Sequence, residues 1–192
     1  MSHIEIGITG GIGSGKSIIS HILRTMQYPV YDTDSQAKRL MNTPTLQQQL
    51  QQQWGNNIFN NDGSLNRQQL ATIVFNNPTQ LTILNNIVHP AVRHDYTQWV
   101  TQQQSHIVFV ESAILQQAHM TDTLHHVWIV QADRETRIDR VIKRNNCTRQ
   151  EVEARIASQQ LTITHPHTHI INNDNNHAIL PQIIKLLKEL QH

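Results

Sequence analysis

A glycine-rich stretch near the amino terminus has the residue types and spacing of a phosphate-binding loop. Residues 10–17 read GGIGSGKS, which fits the P-loop pattern G-x-x-x-x-G-K-[S/T]. Its glycines allow the backbone to curl so that N–H groups point inward and can bind phosphate oxygens. In this pattern Lys16 would reach the β- and γ-phosphates, and the hydroxyl of Ser17 would ligate Mg²⁺. The stretch therefore predicts that the chain binds a nucleoside triphosphate.

The residues on either side predict the strand and the helix that a P-loop needs. The loop follows a short apolar run at residues 4–8, which read IEIGI. After the loop, apolar side chains recur at helical spacing at Ile18, Ile19, Ile22, Leu23 and Met26. The positive end of such a helix adds to the attraction for phosphate. Because both flanking elements are present, a glycine-rich turn with an incidental lysine is the weaker interpretation.

Three carboxylates stand at or just after the predicted ends of buried strands. Asp32 and Asp34 follow the run 28–31, and Glu111 follows the apolar run 107–110. In open parallel sheets ligands bind beyond the carboxyl ends of the strands, so we expect these groups near the nucleotide. We favour a functional role for Asp34. Asp32 could equally cap the next helix, and Glu111 could either hold Mg²⁺ through water or cap the segment after it.

Between the second and third strands the sequence predicts helices. These helices are expected at about 45–54, 66–76, 78–88 and 91–103, with a turn at residues 60–63, NNDG. Pro90 should end or kink a helix at His89, because proline disfavours a helical conformation in the residue before it. His89 itself is ambiguous, since a histidine before a proline is usually structural but could contact a ligand. An insert of this kind, at about residues 42–104, could bind an acceptor molecule.

Arginine residues cluster on two further predicted helices. The first helix carries them three and four residues apart, at Arg134, Arg137, Arg140 and Arg144. The second begins with the capping-box pattern TRQE at 148–151 and carries Arg155 and Gln159. Guanidinium groups in this arrangement suit a lid, at about residues 134–160, that closes over phosphates. The alternative is a solvated face paired with acidic neighbours, which fits Arg134, Arg137 and Arg149 best.

The remaining runs complete an α/β pattern. Strands are predicted at 127–130 and 170–173, and a last helix from about Pro181. Histidines alternate at positions 165, 167 and 169 and could bind a metal, but no further ligand has a suitable spacing, and a polar connection is favoured. The pattern predicts a single domain, 1–192, with a three-layer α/β/α P-loop NTPase fold and a parallel five-stranded sheet. Residues 1–41 and 105–192 would form its nucleotide-binding core, to which the helical insert and the helical lid are added.

Composition narrows the class of protein. A chain of 192 residues can bury one good core. Its formal net charge of +1 argues against a nucleic-acid-binding surface as its main function. The one cysteine, Cys147, cannot form an intramolecular disulfide, and neither a leader nor a membrane-spanning run is evident. We therefore expect a cytoplasmic protein with no nucleic acid, no membrane and no obligate protein partner.

Together these residues resemble the dephospho-CoA kinase family. The resemblance rests on residues 6–17, on Asp32-Thr33-Asp34 and on His89-Pro90. It also rests on Arg140, Arg144, Arg149 and Gln159 in the two arginine-bearing helices. It covers nearly the whole chain. It implies an enzyme that transfers the γ-phosphoryl group of ATP to the ribose 3′-hydroxyl of dephospho-CoA, the last step of coenzyme A biosynthesis, with Mg²⁺ as cofactor. Two alternatives stay open, another small-molecule P-loop kinase and a regulatory ATP-binding module.

The resemblance also implies roles for individual residues. Asp34 is similar to the family's general base, and it would act in catalysis with Lys16, Arg140 and Arg144. The implied ATP-binding residues are Gly11, Ile12, Gly13, Ser14, Gly15, Lys16, Ser17, Arg144 and Asn173. Dephospho-CoA would contact Asp34 and His89. Mg²⁺ would bind Ser17, with Asp32 or Glu111 acting through water.

At three places the sequence departs from the family pattern. Ile18 follows Ser17 where the family usually has threonine, and this leaves the hydroxyl of Ser17 for Mg²⁺. Gln117 stands where many members have a glutamate, and residues 172–174 read NND instead of DNN. None of these changes removes a group that the transfer chemistry requires.

Overall fold

A five-stranded sheet forms the framework of the structure. The computed structural model describes residues 3–75, 77–159, 162–174 and 176–190. Within these residues the strands are β1 (Ile4–Thr9), β2 (Val30–Asp32), β3 (Ile107–Glu111), β4 (His126–Gln131) and β5 (Thr168–Asn172). Each strand coincides with a run that the sequence predicts, so the parallel five-stranded sheet is confirmed.

The strand order places β1 at the centre of the sheet. The order is β2-β3-β1-β4-β5, and β1 pairs in parallel with both β3 and β4. In this register Ile8 of β1 lies beside Glu111 of β3 and Trp128 of β4. Because the carboxyl ends of parallel strands meet along one edge, the residues that follow β1 and the last residue of β3 share the edge where ligands bind in such sheets.

Helices flank the sheet and complete the three-layer α/β/α arrangement that the sequence predicts. In the described ranges the α-helices are α1 (Lys16–Thr25), α2 (Thr33–Leu40), α3 (Pro44–Trp54), α4 (Arg67–Phe75), α5 (Pro78–Thr101), α6 (Arg134–Asn145), α7 (Arg149–Ser158) and α8 (Ile179–Glu189). Short 3₁₀ turns occupy Gly55–Ile58 and Thr121–Thr123.

Of the two outcomes expected at Pro90, an end or a kink, the end does not occur: α5 passes through Pro90. It runs unbroken through the two segments that the sequence separates. A proline inside a helix loses one backbone hydrogen bond and costs about 3 kcal/mol. Against that cost, α5 buries a stripe of side chains four residues apart, at Val88, Val92, Tyr96 and Val100. α5 also packs on α2 and α4, and this tertiary packing outweighs the local effect of the proline.

The caps of α6 and α7 agree with the sequence. The carboxylate of Asp133 accepts a hydrogen bond from the backbone N–H of Thr136 at 2.9 Å. Both bonds of the predicted capping box between Thr148 and Glu151 are present. Between the helices, Asn146 takes a left-handed conformation with a φ of 49°, which asparagine tolerates better than most residues. The two helices therefore form a hairpin whose ends are fixed by local sequence.

The main hydrophobic core lies between the sheet, α1 and α8. Its buried side chains are Ile6, Ile8, Ile19, Leu23, Ile107, Phe109, Trp128, Val130, Ile171, Ile183 and Leu187. The rings of Phe109 and Trp128, on β3 and β4, lie with their centroids 5.1 Å apart. A core on this face fixes α1 against the sheet, and α1 begins at the lysine of the P-loop.

Contacts divide the chain into two compact units. The first comprises Met1–Tyr31 and Gln103–His192, and the second comprises Asp32–Gln102. The second unit includes α2, which packs on α5 within it, and an acceptor-binding insert at about residues 42–104 stays a prediction. An ion pair between Arg39 of α2 and Asp95 of α5 joins the two helices.

The second unit is mainly helical and has a core of its own. Its buried side chains are Leu50, Ile58, Leu65, Leu70 and Val74. An antiparallel bridge between Phe59 and Leu65 encloses the predicted turn at residues 60–63, so the unit also contains a small extended element. Throughout the described residues, no helix has both the length and the apolar character needed to cross a membrane.

Candidate active site

The P-loop has the strand-loop-helix context that its sequence predicts. β1 ends at Thr9 and α1 begins at Lys16, so residues 10–15 form the connecting loop. Gly13 and Gly15 have φ values of 78° and 95°, which side chains with a Cβ rarely adopt. A Cβ on Gly13 would also lie 2.5 Å from the carbonyl oxygen of Arg137. The loop therefore needs glycine both for its curvature and for its close approach to α6.

Lys16 lies folded over the loop that it follows. Its Nζ donates hydrogen bonds to the carbonyl oxygens of Gly10 at 2.8 Å and Gly11 at 3.5 Å. Within α1, the first turn carries no acidic side chain that would compete for an anion. The ammonium group and the positive end of α1 thus act on the same loop, and both favour the binding of phosphate.

Asn173 and Arg140 support the loop from the carboxyl end of β5. Asn173 is 3% exposed, and its Nδ2 donates to the carbonyl oxygen of Ser14 at 2.7 Å. Its own carbonyl oxygen accepts a hydrogen bond from Nη1 of Arg140 at 3.0 Å. Two residues that the sequence assigns to ATP and catalysis are therefore brought together at the loop, where Asn173 contacts its backbone directly.

Arg137 is a residue whose position the sequence interpretation missed. We expected an ordinary surface arginine, but the side chain is half-buried and its Nε donates to the carbonyl oxygen of Ile12 at 2.9 Å. Burial lowers the pKa of its guanidinium. The sequence did contain one signal for this position, the spacing of the arginines: Arg137 stands one turn before Arg140 on the same helix.

Gln159, at the carboxyl end of α7, contacts the same residue of the loop. Its Oε1 accepts a hydrogen bond from the backbone N–H of Ile12 at 2.7 Å. The sequence interpretation placed Gln159 on the predicted lid without a specific partner. The structure gives it one within the P-loop.

The outer arginines of the helix pair form an exposed ion-pair network, as the solvated-face interpretation expects. Arg149 pairs with Glu135 at 2.7 Å and with Glu153 at 3.1 Å, and Arg134 pairs with Glu153 at 3.1 Å. Hydrogen bonding to Arg149 lowers the pKa of Glu135. Arg144 is also exposed, and its Nε donates to the side-chain oxygen of Asn145 at 3.1 Å. It belongs to neither the loop contacts nor this network.

Asp32 caps α2. Its Oδ1 accepts hydrogen bonds from the backbone N–H groups of Asp34 at 3.0 Å and Ser35 at 3.2 Å. Its Oδ2 accepts one from the hydroxyl of Ser35 at 2.7 Å. Both carboxylate oxygens are thus occupied within α2, while the side chain of Asp34, in the first turn of the same helix, is exposed.

Two substitutions of Asp32 should test whether its side chain stabilises the fold as the N-cap of α2. We expect Asp32→Ala to lower the melting temperature by about 2–4 °C, since loss of an N-cap costs about 1 kcal/mol in a chain of this size. Asp32→Asn should melt close to the wild type, because asparagine caps a helix equally well. Thermal unfolding followed by circular dichroism compares the two. Equal losses of stability in both variants would contradict the capping role.

His89 and Glu111 lie in different units. His89 is half-buried on α5 in the second unit. Glu111 is the last residue of β3, in the first unit, and its register with Ile8 places it beside the strand that leads into the P-loop. The position of Glu111 at this edge agrees with its predicted place, and its contact with Mg²⁺ stays a prediction.

Comparison with known proteins identifies the family of the chain. The sequence profile of dephospho-CoA kinase matches residues 4–178. The chain belongs to the dephospho-CoA kinase family. It is therefore similar to enzymes that transfer a phosphoryl group, and the resemblance inferred from its motifs is confirmed.

Relatives of the family match the chain over nearly its full length. The dephospho-CoA kinase of Bacteroides fragilis strain YCH46 is 36% identical over 96% of this chain and 91% of that protein. The dephospho-CoA kinase of Porphyromonas gingivalis strain W83 is 35% identical over 98% of this chain and 95% of that protein. A crystal structure from Thermus thermophilus, 31% identical, superposes with a TM-score of 0.82 over 100% of this chain and 97% of that one.

In this member of the dephospho-CoA kinase family, histidines cluster at the edge of the sheet opposite to the P-loop. His126, the first residue of β4, has its Nδ1 3.3 Å from Nε2 of His169 on β5. The ring of His167 lies 5.3 Å from that of His126. Among the described residues, no group of three or more potential ligands is arranged to hold a metal ion. His165 and His167 precede β5, as the favoured interpretation of a polar connection expects, whereas His169 lies within the strand.

The histidine cluster should make folding sensitive to acid. Burial and the neighbouring imidazole of His169 lower the pKa of His126 from its usual value of 6.5. As the pH falls through that value, the unfolded chain therefore takes up a proton before the folded chain does. Stability is full above about pH 6.5 and decreases as the pH approaches the lower, folded pKa.

We expect His126→Asn to reduce this sensitivity. Between about pH 7.5 and about pH 5.5, its melting temperature should fall by about 1–3 °C less than that of the wild type, a small effect because solvent screens a partly exposed group. Thermal unfolding at both pH values measures it. His94→Asn, on an exposed position of α5, is the control and should fall as the wild type does. If the melting temperature fell equally in the two variants, His126 would not be the cause of the acid sensitivity.

Proposed function

We propose that this chain transfers the γ-phosphoryl group of ATP to the ribose 3′-hydroxyl of dephospho-CoA, the last step of coenzyme A biosynthesis. The observation that carries the proposal is the match of the dephospho-CoA kinase profile to residues 4–178, which span both units. The geometry of the P-loop agrees with a triphosphate donor. The reaction belongs in the cytoplasm, where ATP is present and a lone thiol such as Cys147 stays reduced.

The first unit supplies the donor half of the proposed reaction. The loop at residues 10–17 binds the phosphates through backbone N–H groups other than that of Ile12, which donates to Gln159, and Lys16 contacts the β- and γ-phosphates. Phosphoryl transfer depends mainly on positioning and on stabilising charge, so arginines near the transferring group contribute directly. Arg140 is already bonded to Asn173, whereas Arg144 is exposed and contacts only a neighbouring side chain in the described geometry. Arg144 is therefore the better candidate to reach the transferring group.

Mg²⁺ fits the oxygen atoms near the loop. The ion prefers hydroxyl, carboxylate and water oxygens, and Ser17 and Glu111 offer the first two. Ser17 follows Lys16 on α1, and Glu111 ends β3 at the same edge of the sheet. Asp32, whose two oxygens accept hydrogen bonds within α2, and Glu111, at the sheet edge beside the strand that leads into the loop, are the two candidates to hold the water shell. When bound, the ion neutralises charge on the phosphate oxygens.

The acceptor half of the proposed reaction involves Asp34 and His89. Asp34 acts as the general base, which takes the proton of the 3′-hydroxyl as the new bond forms. Its exposed position in the first turn of α2 leaves the carboxylate accessible. His89, half-buried on α5, contacts dephospho-CoA. Both assignments rest on the family pattern and on the accessibility of the side chains.

An ADP-release assay tests the proposal. The purified protein, with ATP and Mg²⁺, should release ADP when dephospho-CoA is added, and mass spectrometry should find coenzyme A as the product. Adenosine, AMP and a shikimate-like hydroxyl acceptor should stimulate little release. Preferential use of one of these acceptors would instead indicate another small-molecule kinase. Hydrolysis of ATP that no acceptor stimulates would overturn the kinase assignment.

A further inference from the structure

The peptide groups on both sides of Ile12 are held by the helix pair α6–α7. Its N–H donates to Oε1 of Gln159 at 2.7 Å, and its carbonyl oxygen accepts from Nε of Arg137 at 2.9 Å. These two partners stand far away along the chain, one on α6 and one just after α7. The P-loop residue between two glycines, Gly11 and Gly13, is therefore fixed by two side chains from outside the loop.

Apolar contacts fix the same residue. The side chain of Ile12 packs against the small core of the helix pair, formed by Ile138, Val141 and Val152. Next to it, Gly13 approaches the backbone of α6 so closely that a Cβ would lie 3.0 Å from Cα of Arg137. The front half of the loop is thus part of the helix hairpin, in contrast to a lid that contacts the loop only when nucleotide is present.

We propose that Arg137 and Gln159 are positioning residues for ATP: they fix the Ile12 peptide and so hold the P-loop in its phosphate-binding conformation before nucleotide arrives. The inference rests on the proposed ATP site. Glycine-flanked peptides have the largest conformational freedom to lose on ordering. A loop that is ordered in advance loses less of that freedom when it binds, and preorganisation of this kind appears as affinity.

The two bonds should act as one unit. Each holds one end of the same short segment, so removal of either bond frees the segment to rotate and weakens the other. Substitutions at Arg137 and Gln159 should therefore be non-additive, which is the usual sign of direct coupling between two groups. Two independent surface contacts would instead give effects that add.

A double-mutant cycle on ATP affinity tests the proposal. Arg137→Met and Gln159→Met keep much of the side-chain length and remove the hydrogen-bonding group. We expect each single variant to bind Mg·ATP about 3- to 10-fold more weakly, the effect of one lost hydrogen bond, in isothermal titration calorimetry. The double variant should bind about as weakly as the weaker single variant. Arg134→Met, on the exposed face of the same helix, is the control and should bind as the wild type does.

Kinetics distinguish positioning from a purely structural role. The variants should raise KM for ATP by the same factor, with KM for dephospho-CoA and kcat at saturating ATP within about twofold of the wild type. A lower melting temperature with unchanged ATP affinity would mean that the two residues only stabilise the fold, and it would overturn the proposal. Effects that add in the double variant would overturn it as well.

The wild-type protein provides a measurement that does not depend on how the variants fold. The amide proton of Ile12 should exchange with solvent slowly in the nucleotide-free protein, because it is hydrogen-bonded to Gln159. Exchange at the rate of an open loop would contradict the proposal directly. If the wild type failed to bind ATP at all, the proposed function would fail instead. The exchange rate of the Ile12 amide would still show whether the Ile12 peptide is held by its hydrogen bond to Gln159.

Discussion

Asp34→Asn should leave ATP binding intact and lower kcat by about 10²- to 10⁴-fold, the usual contribution of a positioned general base. Asparagine has nearly the same shape as aspartate but cannot accept the proton of the 3′-hydroxyl. Asp34 takes part in the cap of α2 through its backbone N–H, which the substitution keeps. The fold should therefore survive, and the loss should appear in turnover alone.

The measurement compares the affinity for Mg·ATP with the rate of ADP release at saturating dephospho-CoA. Glu189→Gln, an exposed carboxylate-to-amide change on α8, is the matched control and should keep full activity. Turnover of Asp34→Asn within a few-fold of the wild type would remove Asp34 from the base role. A loss of ATP affinity in the same variant would point to a role in the donor site instead.

Much of the fold could be predicted because its signals are local. Each strand is a short apolar run, and the caps of α6 are set by residues within one turn of the helix end. The helix does not end at Pro90, which was one of the two outcomes expected there, for the opposite reason. The proline is a local signal, but the continuity of α5 depends on tertiary packing, and α2, one of the helices on which it packs, is well separated from it along the chain.

The candidate site shows the same difference between features that a local stretch of sequence encodes and contacts that form only in the folded chain. The P-loop could be identified because one continuous stretch of eight residues carries both its glycines and its lysine. The contacts that support the loop could not, since Arg137, Gln159 and Asn173 reach it from positions more than 100 residues along the chain, although the family resemblance assigns Asn173 to ATP. A single sequence contains no periodicity that pairs such distant positions. Only the folded chain shows which arginines of the helix pair face the loop.

Asp32 illustrates why a residue type alone does not determine a role. From sequence, a carboxylate after a strand could cap a helix or help to hold Mg²⁺, and both interpretations rest on the same feature. The structure shows three hydrogen bonds from α2 to its two oxygens. The structure therefore shows that Asp32 caps α2, and its contact with the water shell of Mg²⁺ stays a prediction.

Lys16→Ala should lower both ATP affinity and turnover. Removal of one positioned charge or donor at a transition state typically costs about 10²- to 10³-fold in kcat. The affinity for Mg·ATP should fall as well, because in the proposed reaction the ammonium group contacts the β- and γ-phosphates before and during transfer. Titration calorimetry and ADP release measure the two effects. Lys185→Ala, an exposed lysine on α8, should behave as the wild type in both.

Two roles of Lys16 can be separated by a second substitution. In the structure its Nζ donates to the carbonyl oxygen of Gly10 at 2.8 Å, so the side chain also holds the loop itself. Lys16→Gln keeps a donor on a shorter side chain but carries no positive charge. If the charge is what phosphate requires, this variant should be as impaired as Lys16→Ala. Recovery of ATP affinity in Lys16→Gln would show that holding the loop matters more, and unchanged affinity in Lys16→Ala would argue against the phosphate site altogether.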